Sequence, residues 1–183
     1  IFISDVSGHG VPAALITSMV KTLVETAGEK RIKPAELLTF MNEKLVDQTG
    51  GNFLTAFYGV YDSSHSIFTY SKGAHNSPYI IRGSEIIPLE ANGKVLAIWE
   101  DAAFEEKQIK LFPGDKILFY TDGLTEAVNS ENEEFEEIMF SFLLENSHLS
   151  AQNLTDAIYH ALLNHRGDYH FEDDVCILVM EIC

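Results

Sequence analysis

Apolar positions along this chain change period twice. From Val11 to Ala27 they fall at Val11, Leu15, Met19, Val20, Leu23, Val24 and Ala27. That spacing predicts an amphipathic helix, with Pro12 in its first turn and Gly28 past its end. Pro34 opens a second helical pattern whose stripe is Leu37, Leu38, Met41 and Leu45. The middle then turns strand-like. Phe53–Tyr61 is dense in β-branched and aromatic residues, and Ser66–Ser71, Tyr79–Arg82, Glu85–Leu89 and Phe104–Leu111 are shorter runs of the same kind. Gly83-Ser84 suits a hairpin turn and Pro113-Gly114-Asp115 a tight turn, with an apolar strand over Lys116–Thr121. Helical spacing returns near Leu124, over Phe135–Leu144, and after Ser150, a fitting N-cap, where Leu154, Ile158, Ala161 and Leu162 make a stripe that Gly167 ends. Val175–Ile182 reads as a closing strand. Helices, a block of antiparallel strands, helices and a last strand make an α+β pattern. The strand block is too long for one sheet covered on one face, which favours a two-sheet sandwich with helices outside.

Composition adds bounds. The chain has 183 residues, 46% hydrophobic, with 12 Phe, enough for one domain, or slightly less than one, with a real core. Its first residue already lies in an apolar strand, so the chain is expected to be cut from something longer, with upstream sequence completing its sheet. No apolar run approaches the roughly 20 residues needed to span a bilayer, and no signal-peptide pattern is present, which places any membrane anchor upstream. Cys176 and Cys183 have neither metal nor redox spacing and make no disulfide framework, so a reducing cytoplasm is the expected setting. The net charge is −16, from 28 acidic and 12 basic side chains. That argues against nucleic acid or an anionic membrane surface as partner and fits a protein that binds cations.

Candidate chemistry sits at strand ends. Asp5-Val6-Ser7-Gly8-His9-Gly10 follows the apolar stub Ile1-Phe2-Ile3; Asp122-Gly123 follows a second strand; Asp173-Asp174 precedes a third. If these ends share one edge, the carboxylates form an oxygen-ligand cluster suited to Mg2+ or Mn2+. Taken singly, Asp5 or Asp122 could equally cap the helix after it, and one of Asp173 and Asp174 could be only a turn group.

The ordered set is more specific. Asp5 to Ala14 resembles the signature of the SpoIIE/RsbU-type branch of the PPM (phosphatase 2C-like) metal-dependent protein phosphatases. So do Pro113-Gly114-Asp115, the run Leu118 to Ala127, and Phe171-Glu172-Asp173-Asp174. Phe53 to Tyr58 and Gly73 to Pro78 are weaker matches in the right order. The resemblance covers 1–183 as a single PPM-type domain truncated at its N-terminus, and implies a four-layer α/β/β/α sandwich. It implies that Asp5 bridges two metal ions, that the Val6 backbone carbonyl ligates the second, and that Asp122 and Asp173 complete the first, with Asp174 in reserve. A further acidic ligand of the family, in a Gly-Gly-Asp-type strand, is expected upstream of Ile1. Cys176 stands where the family has Thr, and Glu136 and Ala97 where it often has Gly.

The resemblance further implies a protein serine/threonine phosphatase, acting through water activated by Mn2+ or Mg2+, without a covalent intermediate. Its substrate would be a phosphorylated STAS-domain anti-sigma-factor antagonist, with an upstream sensor domain and a possible homodimer. The domain would be cytoplasmic, with membrane anchoring possible only through the missing N-terminal region. The alternative is a catalytically silent PPM-fold interaction module. His9 is a candidate proton donor to the leaving serine oxygen. His75 is expected to be structural, His165 and His170 lack zinc-ligand spacing, and Glu131, Glu133, Glu134, Glu136 and Glu137 read as a solvated helix start.

Overall fold

The computed structural model describes residues 1–167, 171 and 173–183. In chain order it forms β1 (Phe2–Val6), α1 (Val11–Thr26), a 3-10 turn (Gly28–Ile32), α2 (Pro34–Leu45), β2 (Leu54–Asp62), β3 (Ile67–Gly73), β4 (Tyr79–Arg82) and β5 (Glu85–Pro88). Then follow β6 (Glu106–Lys110), β7 (Lys116–Tyr120), α3 (Asp122–Thr125), α4 (Glu136–Glu145), α5 (Ala151–Arg166) and β8 (Ile177–Glu181). The strands make two four-stranded antiparallel sheets, ordered β1-β2-β3-β6 and β5-β4-β7-β8, so the class is α+β as the pattern implied. No helix among the described residues is long and apolar enough to cross a membrane. The chain divides into two compact units, one of Ile1–His75 with Ala91–Leu111, the other of Asn76–Glu90 with Phe112–Cys183.

In the first unit, α2 buries its expected stripe completely. Leu37, Leu38, Met41 and Leu45 join Leu54, Ala56 and Tyr58 of β2 in one apolar cluster. Phe57, Phe68 and Tyr70 stack as an aromatic row on the same sheet. The structure corrects the stripe expected for α1. Val11 and Leu15 are 73% and 61% exposed, while Ile16 and Val20 are buried. The buried edge runs through Ile16 and Val20 with Met19, Leu23 and Val24 beside it. Residue 15 lies one helical step, about 100°, away from residue 16, so the Val11–Leu15 line is turned off the core. Buried Asn42 pins the connection before β6, its amide donating to the Trp99 carbonyl at 2.8 Å and accepting from the Ala97 N–H at 2.9 Å. Ala97 stands at φ 74°, the left-handed backbone that the family's glycine would adopt freely.

In the second unit, β7 is buried along its whole length between β4 and β8. Its Leu118 and Tyr120 pack with Leu124, Phe135, Met139, Leu143, Leu154, Ile158 and Leu162. Ser150 caps α5, its Oγ accepting from the Asn153 N–H at 3.4 Å, and Gly167 closes that helix at φ 78°. The Pro113-Gly114-Asp115 turn is clamped by Asp115. Its buried carboxylate takes two bonds from the Arg82 guanidinium, at 2.9 and 2.6 Å, and a third from the Phe112 N–H at 2.8 Å.

Candidate metal centre

Asp5 lies near the end of β1, in antiparallel register with Thr55 of β2. The turn behind it is tied to the segment entering β2 by a reciprocal pair. The Ser7 N–H donates to the Phe53 carbonyl, and the Phe53 N–H donates to Ser7 Oγ, both at 2.9 Å. This fixes where the Val6 carbonyl can point. Gly10 sits at φ 78°, ψ −150°, a conformation open essentially to glycine, and lets the chain turn directly into α1. His9 is exposed in that turn.

In the second unit the structure brings two of the aspartate blocks side by side. Thr121, just past β7, donates its hydroxyl to the Asp174 carbonyl at 2.7 Å and accepts from the Cys176 N–H at 2.9 Å. Its own N–H reaches the Cys176 carbonyl at 3.3 Å. Gly123 permits the approach, because a Cβ there would lie 2.6 Å from the Asp174 carbonyl oxygen. Asp122 begins α3 and accepts from the Gly123 N–H at 3.1 Å, leaving a carboxylate at intermediate exposure beside the Asp173-Asp174 backbone. Asp173 and Asp174 are both exposed, and Asp173 accepts from the Asp174 N–H at 2.8 Å. Cys176 contributes only backbone atoms to this clamp, so the absence of the family's Thr side chain leaves it intact. Glu136 is the first residue of α4 and needs no glycine.

Glu126 is the acid that the sequence reading passed over, although it lies within the Leu118-to-Ala127 block. Burial, followed by the charges of Asp122, Glu134, Asp173 and Glu136, raises its carboxyl above the usual value. That concentration of negative charge is an electrostatic fit for a cation, and the donors are all oxygen, as hard ions require. Among the described residues no three His, Cys, Asp or Glu side chains assemble into a group that could hold a metal ion. One or two carboxylates with retained waters still suit Mg2+, which gives up its hydration shell reluctantly. His165 is occupied elsewhere, bonding the Glu133 carbonyl at 2.9 Å and standing edge-on to Phe135. His170 and Glu172 lie outside the described residues.

Two four-stranded antiparallel sheets with helices are the fold of the PP2C-type phosphatase domains. The SiaA-PP2C domain of Pseudomonas aeruginosa superposes with a TM-score of 0.84 at 19% identity, over 100% of this chain and 74% of that one. Residues 1–182 match the family model of stage II sporulation protein E (SpoIIE), and the chain belongs to that family. It is 34% identical over 186 residues to phosphoserine phosphatase RsbU of Bacillus subtilis (strain 168), covering 98% of this chain and 54% of that protein. The structure of the RsbU and RsbW domains of Rv1364c from Mycobacterium tuberculosis matches at 25% identity and TM-score 0.79, over 98% of this chain and 50% of that one. The chain spans about half the length of the curated relatives it matches.

Proposed function

We propose that residues 1–183 act as one metal-dependent protein phosphatase domain that removes phosphate from phosphoserine or phosphothreonine in a partner protein. The observation that carries this is the clamp of Thr121-Asp122-Gly123 onto the Asp173-Asp174 backbone, in a chain whose family match runs through both units. Asp122 and Asp173 are the ligands assigned from the second unit, with Asp174 in reserve, and Asp5 with the Val6 carbonyl those from the first. Bound Mn2+ or Mg2+, two ions in this reading, would supply a water of lowered pKa and offset phosphoryl charge. The protein sets Asp122, at the start of α3, beside the Asp173-Asp174 backbone and keeps the Asp5 turn registered through Ser7 and Phe53. Exposed His9, four residues past Asp5, is assigned the proton for the leaving serine oxygen.

The substrate assigned is a phosphorylated STAS-domain antagonist of an anti-sigma factor. Support comes from the likeness to a protein named phosphoserine phosphatase RsbU, and to a chain that joins an RsbU domain to an RsbW domain. An upstream sensor domain, a homodimer and a cytoplasmic setting belong to the same reading. The alternative, a silent interaction module on the same fold, is favoured by one observation: among the described residues no three metal-type side chains are grouped. Hydrolysis of p-nitrophenyl phosphate by the full-length protein in Mn2+ separates the two. Metal-dependent turnover that Asp122→Asn abolishes supports the phosphatase. Equal rates for wild type and Asp122→Asn remove Asp122 from the metal site, and no turnover with Mn2+ or Mg2+ leaves the silent module.

A further inference from the structure

Trp99 is 51% exposed and Ile98 beside it 38%, two large apolar side chains held at the surface of the first unit. Single exposed apolar residues are ordinary, so what sets this pair apart is the backbone beneath it. Buried Asn42 holds the Ala97 N–H on one side of Ile98 and the Trp99 carbonyl on the other. The same carbonyl accepts from the Ala102 N–H at 3.2 Å and closes a turn. Lys94 Nζ stands 5.1 Å from the centre of the indole ring. A large aromatic side chain on a backbone already ordered loses little further freedom on contact, which is the form an interface anchor takes. Sheet pairing locates the loop. Leu96 and Leu54 exchange backbone bonds at 2.9 and 3.3 Å, and Leu54 is in register with Val6 on its other side. Two antiparallel pairings in succession put Val6 and Leu96 about 10 Å apart. Three further residues reach at most about 11 Å, so Trp99 lies within about 21 Å of Val6.

We propose that Trp99, with Ile98, is the docking anchor for the phosphorylated protein on which this domain acts. The assignment rests on the reading of the domain as a protein phosphatase with Val6 at its metal edge. The occupant follows from size. A protein that brings a phosphorylated residue to that edge covers about 800 Å2 of the enzyme, a patch roughly 32 Å across. A patch of that span that takes in Val6 reaches Trp99. Within it, a tryptophan on a pinned loop is the type of residue that carries most of the binding energy. The partner it fits presents an apolar seat for the indole on the same surface as its phosphorylated side chain. A small phosphate ester has no surface to set against Trp99, so the anchor separates protein substrates from small ones. The competing view, a solvated side chain resting on Lys94, predicts no effect on either.

The test compares full-length wild type, Trp99→Ala and Trp99→Phe in Mn2+ on two substrates, a phosphorylated STAS-domain antagonist and p-nitrophenyl phosphate. Trp99→Ala should raise KM for the phosphoprotein about 30-fold with kcat held. Its turnover of p-nitrophenyl phosphate and its melting temperature should stay at wild-type values. Trp99→Phe keeps an aromatic ring at the position and should recover most of the loss. A wild-type KM for the phosphoprotein in Trp99→Ala would overturn the docking role. So would an equal loss on both substrates, which puts the damage in the site itself. Sedimentation of the same proteins gives a further check: a Trp99→Ala protein that loses only self-association assigns the surface to a second copy of this chain, against the proposal. If the wild type shows no Mn2+-dependent turnover of p-nitrophenyl phosphate, the phosphatase reading falls first and the anchor falls with it.

Discussion

Replacing Gly123 by alanine adds one methyl group where two backbone segments meet. The new Cβ would stand 2.6 Å from the Asp174 carbonyl oxygen and 3.1 Å from its carbonyl carbon, where ordinary contact begins at 3.4 Å. Both obstacles are main chain, so no side chain can swing aside, and the segments must part by several tenths of an ångström. The bond most exposed to that separation is Thr121 Oγ1 to the Asp174 carbonyl, at 2.7 Å. Overpacking costs about 1–3 kcal/mol and one lost hydrogen bond about 0.5–1.5 kcal/mol. Alanine's better helix propensity in α3 returns up to about 1 kcal/mol. The net is a loss of about 2 kcal/mol, which for a chain of this size lowers the melting temperature by roughly 4–8 °C. Thermal unfolding followed by circular dichroism reads this directly. Because the displaced backbone carries Asp173, Mn2+ affinity should fall together with stability. A Gly123→Ala protein that melts within about 1 °C of wild type and binds Mn2+ equally well would refute the close approach as the device that sets Asp122 beside Asp173.

Other residues give independent checks. Asn42→Ala strips two hydrogen bonds from the buried connection at Ala97 and Trp99, and should cost about 2–3 kcal/mol with a shift in Trp99 fluorescence; an unchanged unfolding midpoint contradicts it. Glu126 titrates above its usual 4.5, so the folded, metal-free protein holds that proton more tightly than the unfolded chain. The stability linked to it is therefore complete below 4.5 and is lost as pH rises through the raised value. Glu126→Gln should accordingly raise metal-free stability at pH 7 by up to about 0.5 kcal/mol, with no gain at pH 4, and Mn2+ should shrink the difference. Asp62 is held at about 2 by the Ser64 hydroxyl and then by the His65 ring, so Ser64→Ala should move its carbon-13 titration midpoint up toward 3.8.

What could be read from the chain depended on whether the signal was local. The α2 stripe, the β4–β5 hairpin at Gly83-Ser84 and the α5 boundaries at Ser150 and Gly167 are each set by neighbours a few residues away, and the structure has them where expected. The α1 stripe misled because apolar residues occupy more of that helix than one face can bury, and periodicity does not say which line meets the core. Asp122 and Asp173 stood out as acids at strand ends, yet their being side by side depends on Thr121 and Gly123, whose roles appear only once Asp174 is seen against them. Thr55 and His75 each lie in a weakly matching block, but the hydrogen bond that joins them across twenty residues is visible only in the structure. Ala97 is the instructive intermediate. The missing glycine marked unusual backbone there, and the left-handed φ is what the structure has, stabilised by Asn42 from a distant helix.

The most direct test is Mn2+ binding by the full-length protein, measured by calorimetry for wild type, Asp5→Asn, Asp122→Asn and the double variant. If the carboxylates share the bound metal, each single change should weaken binding strongly, and the double variant should lose much less than the two losses added together. Additive losses would assign the two aspartates to separate, uncoupled sites. Wild-type affinity in both single variants would contradict the metal centre outright.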